Sequence, residues 1–498
     1  MSRVVIVSNR VTDPLKAAQA GGVAVAIADC LKERDGLWFG WSGTLTTELL
    51  PDSDNDSTVS IDTNDGIARA TTPLTDIEYR DYYLGYSNSV LWPVFHNRVD
   101  LAQFEAGYYD AYSSVNKRFA KALTALLLPD DVIWVHDYHF ICLAKELRAL
   151  GVNNRIGFFL HIPFPPSQSF LAIPEHRELA HAFAAYDLIG LQATTDVAHL
   201  IDYLEHGARG QMLPDGRMRV GEREFSIASF PVGIDSNYFK NINSPSVQDL
   251  NRDIVRIIGV DRLDYTKGLP QKFRAFGRFL QTNPKFRNKT ILTQIAAPTR
   301  ESVEAYADIR KELESLSGSI NGTYGDLEWV PIHYINRTAS RERLAGVYRA
   351  SNIGLVTPLR DGMNLVAKEY VASQIASDPG VLILSQFAGA AEQLTDALIV
   401  NPYNVEEIAA SISIAIAMSL EERRARYVSL MRNIENITAS MWATSFLEAL
   451  VDRSPFRESP PSGGRRLRRA IKRLSHAPAP PKTSTPTCLS PSVRNHRL

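Results

Sequence analysis

Short, nearly unbroken apolar runs alternate with helix-patterned segments along most of this chain. In the first half, "RVVIVS" (3–8), "LWFGW" (37–41), "DVIWVH" (131–136), "RIGFFLH" (155–161), "DLIGLQ" (187–192) and "FSIASFP" (225–231) read as strands. In the second, "VRIIGV" (255–260), "TILTQIA" (290–296), "EWVPIHY" (328–334), "NIGLVTP" (352–358), "GVLILS" (380–385) and "ALIVNP" (397–402) do the same. Strands apolar on both faces are covered on both faces, which predicts parallel sheets built from βα units. Residues 236–252 lack the pattern and read as a connection between two domains. Residues 404–452 read as helices long enough to reach back to the first domain, and 51–66 as a solvated loop or a turn between hairpin strands.

Composition fits two domains and a tail. The chain has 498 residues, 45% of them apolar, which is ample for two cores. Its formal charge of −1 hides an asymmetry, because residues 459–498 hold nine Lys/Arg and no Asp or Glu, leaving about −10 on residues 1–458. An acidic body argues against nucleic-acid binding. The tail from Pro455 is rich in Pro, Ser and Arg and is expected to be disordered. Cys30, Cys142 and Cys488 are too dispersed for a disulfide framework or a cysteine metal site. No apolar segment is long enough to span a bilayer, and the N-terminus has too short an apolar core for a signal peptide. A cytoplasmic protein is expected.

Two doubly wound domains predict chemistry at the carboxyl ends of their strands, and the polar residues gather there. Arg10 follows the first strand. Gly21-Gly22 would let a backbone approach a ligand, or simply punctuate a turn; it is no G-x-G-x-x-G fingerprint. "IWVHDYHF" sets His136, Asp137 and His139 beyond a strand, and "FFLHIPFPP" does so for His161. Their spacing lacks H-E-x-x-H, so hydrogen bonding to sugar hydroxyls is preferred to a metal site. For His136 and His139 a packing role is the better expectation. In "GVDRLDYTKGLPQKF", Arg262 and Lys267 flank a turn and could neutralise a diphosphate without magnesium; the bland alternative is a surface turn with Asp264 neutralising both. In "PTRESVEAY", Thr299 could cap a helix while Arg300 faces the cleft; Arg337 and Arg341 are weaker candidates. The stretch 81–98, with Tyr82, Tyr83, Tyr86, Trp92 and His96, fits core packing and sugar stacking equally well. In "PLRDGMNLVAKEY", the amides of Asn364 to Ala367 open a helix and suit phosphate. Asp361 could accept from sugar hydroxyls and Glu369 from a ribose diol.

Together, "SNRV…GGVAVAI", "WFGWSG", "NSVLWPVFHNR", "WVHDYHF", "HIPFPP", "GVDRLDYTKGLPQKF", "PTRESVEAY" and "PLRDGMNLVAKEYVA" resemble the retaining glycosyltransferases of the trehalose-6-phosphate synthase family, over roughly residues 1–452. The resemblance implies an α/β GT-B fold, two Rossmann-like doubly wound domains facing a central cleft. Residues 1–235 would form the acceptor domain and 253–403 the nucleotide-sugar domain. Residues 404–454 would pack back toward the first domain, and 455–498 would be the disordered basic tail. It implies transfer of glucose from UDP-glucose to glucose 6-phosphate, giving α,α-trehalose 6-phosphate and UDP, with no cofactor and no metal.

Carried over by motif, Arg10, Tyr83, Asp137 and Arg300 would hold glucose 6-phosphate, with Trp92 packed near it. Arg262 and Lys267 would hold the donor diphosphate. Gly21, Gly22, Leu365, Val366, Ala367, Lys368 and Glu369 would surround the donor, with Glu369 on the ribose and Ala339 near the uracil. His161 and Asp361 would contact the transferred glucose, and Asp361, His161, Arg262 and Lys267 form the expected catalytic set. The resemblance also implies a homo-oligomer, tetramer or dimer. No D-x-D-x-T pattern follows an apolar strand, so a separate trehalose-6-phosphate phosphatase is expected downstream.

Rival readings are another donor (ADP- or GDP-glucose), another acceptor such as glycerol 3-phosphate, or a catalytically silent homologue. A nicotinamide-dependent oxidoreductase is disfavoured by the missing glycine fingerprint.

Overall fold

The computed structural model describes residues 2–11, 27, 30–31, 36–47, 59–64, 66–242, 253–300 and 303–452. Gly21, Gly22 and the basic tail lie outside them.

The first sheet contains β1 (Val4–Arg10), β2 (Leu37–Thr46), β3 (Ser60–Asn64), β4 (Ile67–Thr75), β5 (Val132–His136), β6 (Arg155–Phe159), β7 (Leu188–Leu191), β8 (Gln211–Met212), β9 (Met218–Val220) and β10 (Arg223–Ser229). Its order is β3-β4-β2-β1-β5-β6-β7-β10-β9-β8. The seven strands from β4 to β10 in that order are parallel, while β3 pairs antiparallel with β4 and β9 with β10. The second sheet holds β11 (Val255–Arg262), β12 (Thr290–Ala297), β13 (Ile332–Ile335), β14 (Ile353–Val356), β15 (Val381–Ser385) and β16 (Leu398–Val400). Its order, β13-β12-β11-β14-β15-β16, is wholly parallel and reproduces the dinucleotide-fold sequence 3-2-1-4-5-6. Each sheet reverses direction of winding beside its first strand, between β1 and β5 and between β11 and β14. These two switch points are where ligands enter such sheets.

The unbroken apolar runs follow from cover on both faces. Val5 and Val7 of β1 enter one core, whereas Val4 and Ile6 enter another on the opposite face. The second cover is supplied in part by the helix Ala439–Val451, after the chain has returned from the second sheet. Its Trp442, Phe446 and Leu450, four residues apart, form one stripe. Phe446 stacks on Trp134 with ring centroids 4.6 Å apart and lies edge-on to Phe159 at 5.8 Å. Gly157 and Gly190 clear the space, because a Cβ on either would sit 2.7 Å from the Phe446 ring.

The pattern misjudged both margins of the first sheet. β3, inside the stretch expected as a loop, and β4, β8 and β9 escaped it because they are short or mixed in polarity, and β13 begins at Ile332, since Pro331 precedes it without an amide to donate. The connection expected at 236–252 contains a helix, Ser236–Asn241, capped by Asp235, whose carboxylate accepts from the amides of Asn237 and Tyr238.

Replacing Phe446 with Ala should destabilise the protein by about 3–5 kcal/mol, because Trp134 and Phe159 are held by sheet backbone and cannot collapse into the space. A urea titration followed by tryptophan fluorescence measures the fall in midpoint.

Candidate active site

On the first sheet, Arg10 ends β1 and stays exposed, its guanidinium 5.8 Å from the Trp41 ring. β5 ends at His136 and the chain turns sharply at Asp137, whose φ of 73° is unusual outside glycine. The turn aims the carboxylate across to the next strand end, where Oδ1 accepts from the His161 amide at 3.3 Å. Burial pushes this carboxyl up to about 6, against the opposing pull of the His161 and Tyr138 amides, Arg262 and Arg300. His136 Nδ1 meets His161 Nε2 at 3.0 Å, and burial keeps both rings neutral, lowering His161 to about 3. His136 is thereby a partner of His161 and more than core filling. Among the described residues, no group of three or more His, Cys, Asp or Glu gathers where a metal could sit.

The aromatic stretch divides between the two roles left open for it. Residues Tyr79–Leu91 form a helix with i to i−5 bonding, continued by the turn Trp92–Phe95. Tyr82, Tyr86 and His96 are core, with burial lowering His96 to about 3. Tyr83 lines a wall of rings. It packs 5.6 Å from Trp41 and stacks on His139 at 5.8 Å, and His139 leans on Tyr138 at 4.1 Å. The wall connects Arg10 at one end with Arg300 at the other, since Arg300 Nη2 donates to Tyr138 Oη at 2.9 Å. Trp92 is only 3% exposed and carries Arg300 at 4.1 Å and Arg262 at 5.2 Å from its ring centroid. Its ring therefore supports two cations of the second lobe.

On the second sheet, β11 ends at Arg262 and the turn Tyr265–Lys267 follows. Gly268, with φ 65°, closes it against the β14 end, where a Cβ would lie 2.5 Å from Thr357 O. Lys267 Nζ donates to Asp361 Oδ2 at 2.6 Å, and Asn364 Nδ2 donates to the same oxygen at 3.0 Å. Burial alone would raise the Asp361 carboxyl, but Lys267 and Arg262 hold it below the usual carboxylate range. The surface-turn alternative fails, since Asp264 is 0% exposed. Burial works against its charge too, yet Arg262, Arg300 and Lys267 keep its carboxyl low. Arg300 has φ 47° and donates from Nη1 to Tyr306 Oη at 2.8 Å.

Two local expectations need correction. Thr299 caps nothing: the helix it was to open starts at Glu304, with Val303 at the cap position. The helix Leu365–Ala372 offers fewer free amides than four, because Asn364 Oδ1 accepts from the Ala367 amide at 3.2 Å. That leaves three of the four, on Asn364, Leu365 and Val366. Lys368 is 1% exposed and its ammonium donates to Val232 O at 2.7 Å, so its side chain is spent on fastening to the other lobe. Glu369 lies beside Tyr348 and Arg341; burial raises its carboxyl and Arg341 opposes the rise. Arg341, a weak candidate by pattern, lies 4.5 Å from the Tyr238 ring. Ala339 stands between β13 and the helix Arg341–Arg349.

The lobes meet through several of these residues. Arg360 Nη2 donates to Phe164 O at 3.2 Å and lies 3.6 Å from Asp196. The Glu392 carboxylate accepts from the amides and hydroxyls of Thr194 and Thr195, at 2.6 to 3.2 Å. Tyr138 and Tyr306 join these contacts although their motifs do not single them out, while the sequence offers Asp264 only as the neutraliser of a surface turn and Asn364 only for its backbone amide. Only Asn364 carried a local signal, its place before an apolar helix.

The family model for glycosyltransferase family 20 matches residues 6–452. A trehalose-6-phosphate synthase of Klebsiella pneumoniae subsp. pneumoniae is 44% identical over 463 residues, covering 91% of this chain and 96% of its own. An α,α-trehalose-phosphate synthase (UDP-forming) from Burkholderia xenovorans, solved in complex with glucose 6-phosphate, superposes with a TM-score of 0.86 at 43% identity. That match covers 91% of this chain and 100% of the other. An E. coli structure described as bound with UDP-2-fluoro glucose has a TM-score of 0.85 at 42% identity, covering 91% and 100%.

Burial without a counter-charge lowers the Lys368 ammonium to about 7. The unfolded chain therefore binds the extra proton between that value and about 10, where a free lysine titrates, so folding stability should climb as pH rises through this window. Urea titrations at pH 7 and pH 9 should show the climb, and Lys368→Met should flatten it.

Proposed function

This chain belongs to glycosyltransferase family 20, and from that premise we propose that it transfers glucose from UDP-glucose to glucose 6-phosphate with retention. The products are α,α-trehalose 6-phosphate and UDP. The observation that carries the reading is the grouping of Arg262, Lys267 and Arg300 against Trp92 and Asp361, at the carboxyl ends of two facing Rossmann-like sheets. Relatives above 40% identity over nine-tenths of the chain are described with a UDP-sugar analogue and with glucose 6-phosphate, which supports the choice of both substrates.

In this reading Arg262 and Lys267 hold the donor diphosphate, aided by the free amides of Leu365 and Val366. Glu369 accepts from the ribose hydroxyls, and the backbone near Ala339 borders the uracil. Asp361 and His161 orient the transferred glucose. Arg10 and Arg300, at the two ends of the aromatic wall, hold the acceptor phosphate, while Asp137 and Tyr83 orient its sugar.

The chemistry takes place on one face. As the bond from the anomeric carbon to the phosphate oxygen breaks, that oxygen takes the proton of the acceptor's anomeric hydroxyl. The acceptor oxygen then bonds the same face. Arg262 and Lys267 stabilise the charge that develops on UDP. A double displacement would need a free carboxylate beneath the anomeric carbon. Asp361 suits that role poorly, with one oxygen engaged by both Lys267 and Asn364. Assembly as a homotetramer or dimer, a cytoplasmic location and a separate downstream phosphatase belong to the same reading. Among the described residues, no helix is long and apolar enough to cross a membrane.

Purified protein given UDP-, ADP- or GDP-glucose with glucose 6-phosphate should release nucleoside diphosphate fastest from UDP-glucose. No turnover with any donor would overturn the proposal. Lys267→Ala should lower kcat by about 10²- to 10³-fold. Arg300→Ala should raise the acceptor KM far more than the donor KM; equal losses would put Arg300 in the wrong role.

A further inference from the structure

The cations assigned to the two substrates come from different segments, yet one buried carboxylate touches the supports of both. Asp264 Oδ1 accepts from the Thr266 amide and from the Thr266 hydroxyl, each at 2.9 Å. That fixes the turn Tyr265–Lys267, which carries the donor-side lysine. Thr266 O in turn accepts from the Leu359 amide at 2.8 Å, tying the same turn to the segment that leads into Asp361. The other oxygen faces the acceptor side. Asp264 Oδ2 accepts from Tyr306 Oη at 3.2 Å, Tyr306 Oη accepts from Arg300 Nη1 at 2.8 Å, and the Arg300 guanidinium lies 3.9 Å from Oδ2.

We infer that Asp264 is a positioning residue that sets the donor and acceptor cations together, through Thr266 on one side and Tyr306 on the other. It touches neither substrate in the reading on which this inference rests. Its two oxygens are fully engaged and buried, and a buried polar network acts cooperatively only when every member is satisfied. The Arg300 backbone, in a conformation with φ 47°, would not by itself fix a long side chain. The Tyr306 hydroxyl does so, together with Tyr138 Oη and the Trp92 ring, and of these the Tyr306 hydroxyl is oriented by Asp264, since it must donate to the carboxylate and so presents a lone pair to Arg300. Preorganising both cations before either substrate arrives removes an ordering cost from each binding step.

The test is a set of variants of the full chain, with KM for each substrate, kcat and melting temperature measured for each. Tyr306→Phe should raise the glucose 6-phosphate KM about tenfold, as expected for losing a hydrogen bond to a charged group, and move the UDP-glucose KM less than about twofold. Thr266→Val should do the reverse. Asp264→Asn should raise both, and adding Tyr306→Phe to it should cost the acceptor nothing further. The inference is overturned if Asp264→Asn lowers the melting temperature while both KM values stay put. It is equally overturned if the acceptor effects of Asp264→Asn and Tyr306→Phe multiply. Should Asp264→Asn not fold, the opposite KM splits of Tyr306→Phe and Thr266→Val decide, and parallel shifts in either reject it. Failure of the functional reading is distinct, because the unsubstituted protein would then show no turnover at all.

Discussion

Three cations crowd one cleft, Arg262 at its exposed margin and Lys267 buried, and such crowding is tolerable only with carboxylates placed among them. Arg262, Lys267 and Arg300 would otherwise repel one another, most strongly where burial removes the screening by water. Asp361 takes Lys267 directly, Asp264 sits within reach of all three, and the Trp92 ring offers its electron-rich face to the two arginines. Burial works against ionising either aspartate, and the cations reverse that tendency. The turn after β11, the approach to the helix Leu365–Ala372 and the setting of Arg300 all hang on this balance.

Because the balance uses groups from both sheets, the site depends on how closely the lobes approach. At Gly362 a Cβ would stand 2.2 Å from His161 O, so the two strand ends meet backbone to backbone. Around that point lie the Arg360 contacts to Phe164 and Asp196, the Glu392 cap on the helix Thr194–His206, and the Lys368 bond to Val232. The crossover is tight as well, with a Cβ on Gly233 falling 1.9 Å from Ile437 O. The segment from Arg360 to Lys368 thus has two outlooks. Asp361 and Asn364 face the cleft, whereas Arg360 and Lys368 fasten one lobe to the other.

Backbone strain concentrates in the same place. Among the described residues, six apart from glycine have positive φ, and Asp137, Arg300 and Asn364 are three of them. Asp137 and Arg300 follow strand ends and Asn364 caps a helix, and each aims a side chain that regular backbone would direct elsewhere. Propensity alone would not choose Asp or Arg at such positions. The surrounding contacts hold them there, with Asp137 against the His161 amide and Arg300 between Tyr306 and Tyr138.

Much of this was legible in one dimension, for a physical reason. A parallel strand covered on both faces must be apolar throughout, so it stands out from its surroundings, and a charge just beyond it has to lie at the sheet's edge. Arg10, Asp137, His161, Arg262, Lys267 and Asp361 declare themselves in that way. Strands at the sheet margin such as β4 and β9 do not, because they are covered on one face only and alternate between buried and open positions. Nor could local pattern identify Tyr306, a tyrosine within a long helix, or tell whether Trp92 would meet sugar or cation. Those matters turn on which side chains the fold brings together over 162 residues of chain, as with Arg300 and Tyr138. The sequence determined the two sheets and the ends at which chemistry gathers. Only the packing of one lobe on the other decided how the charges are shared, because that sharing is set by distances between segments that no run of neighbouring residues encodes.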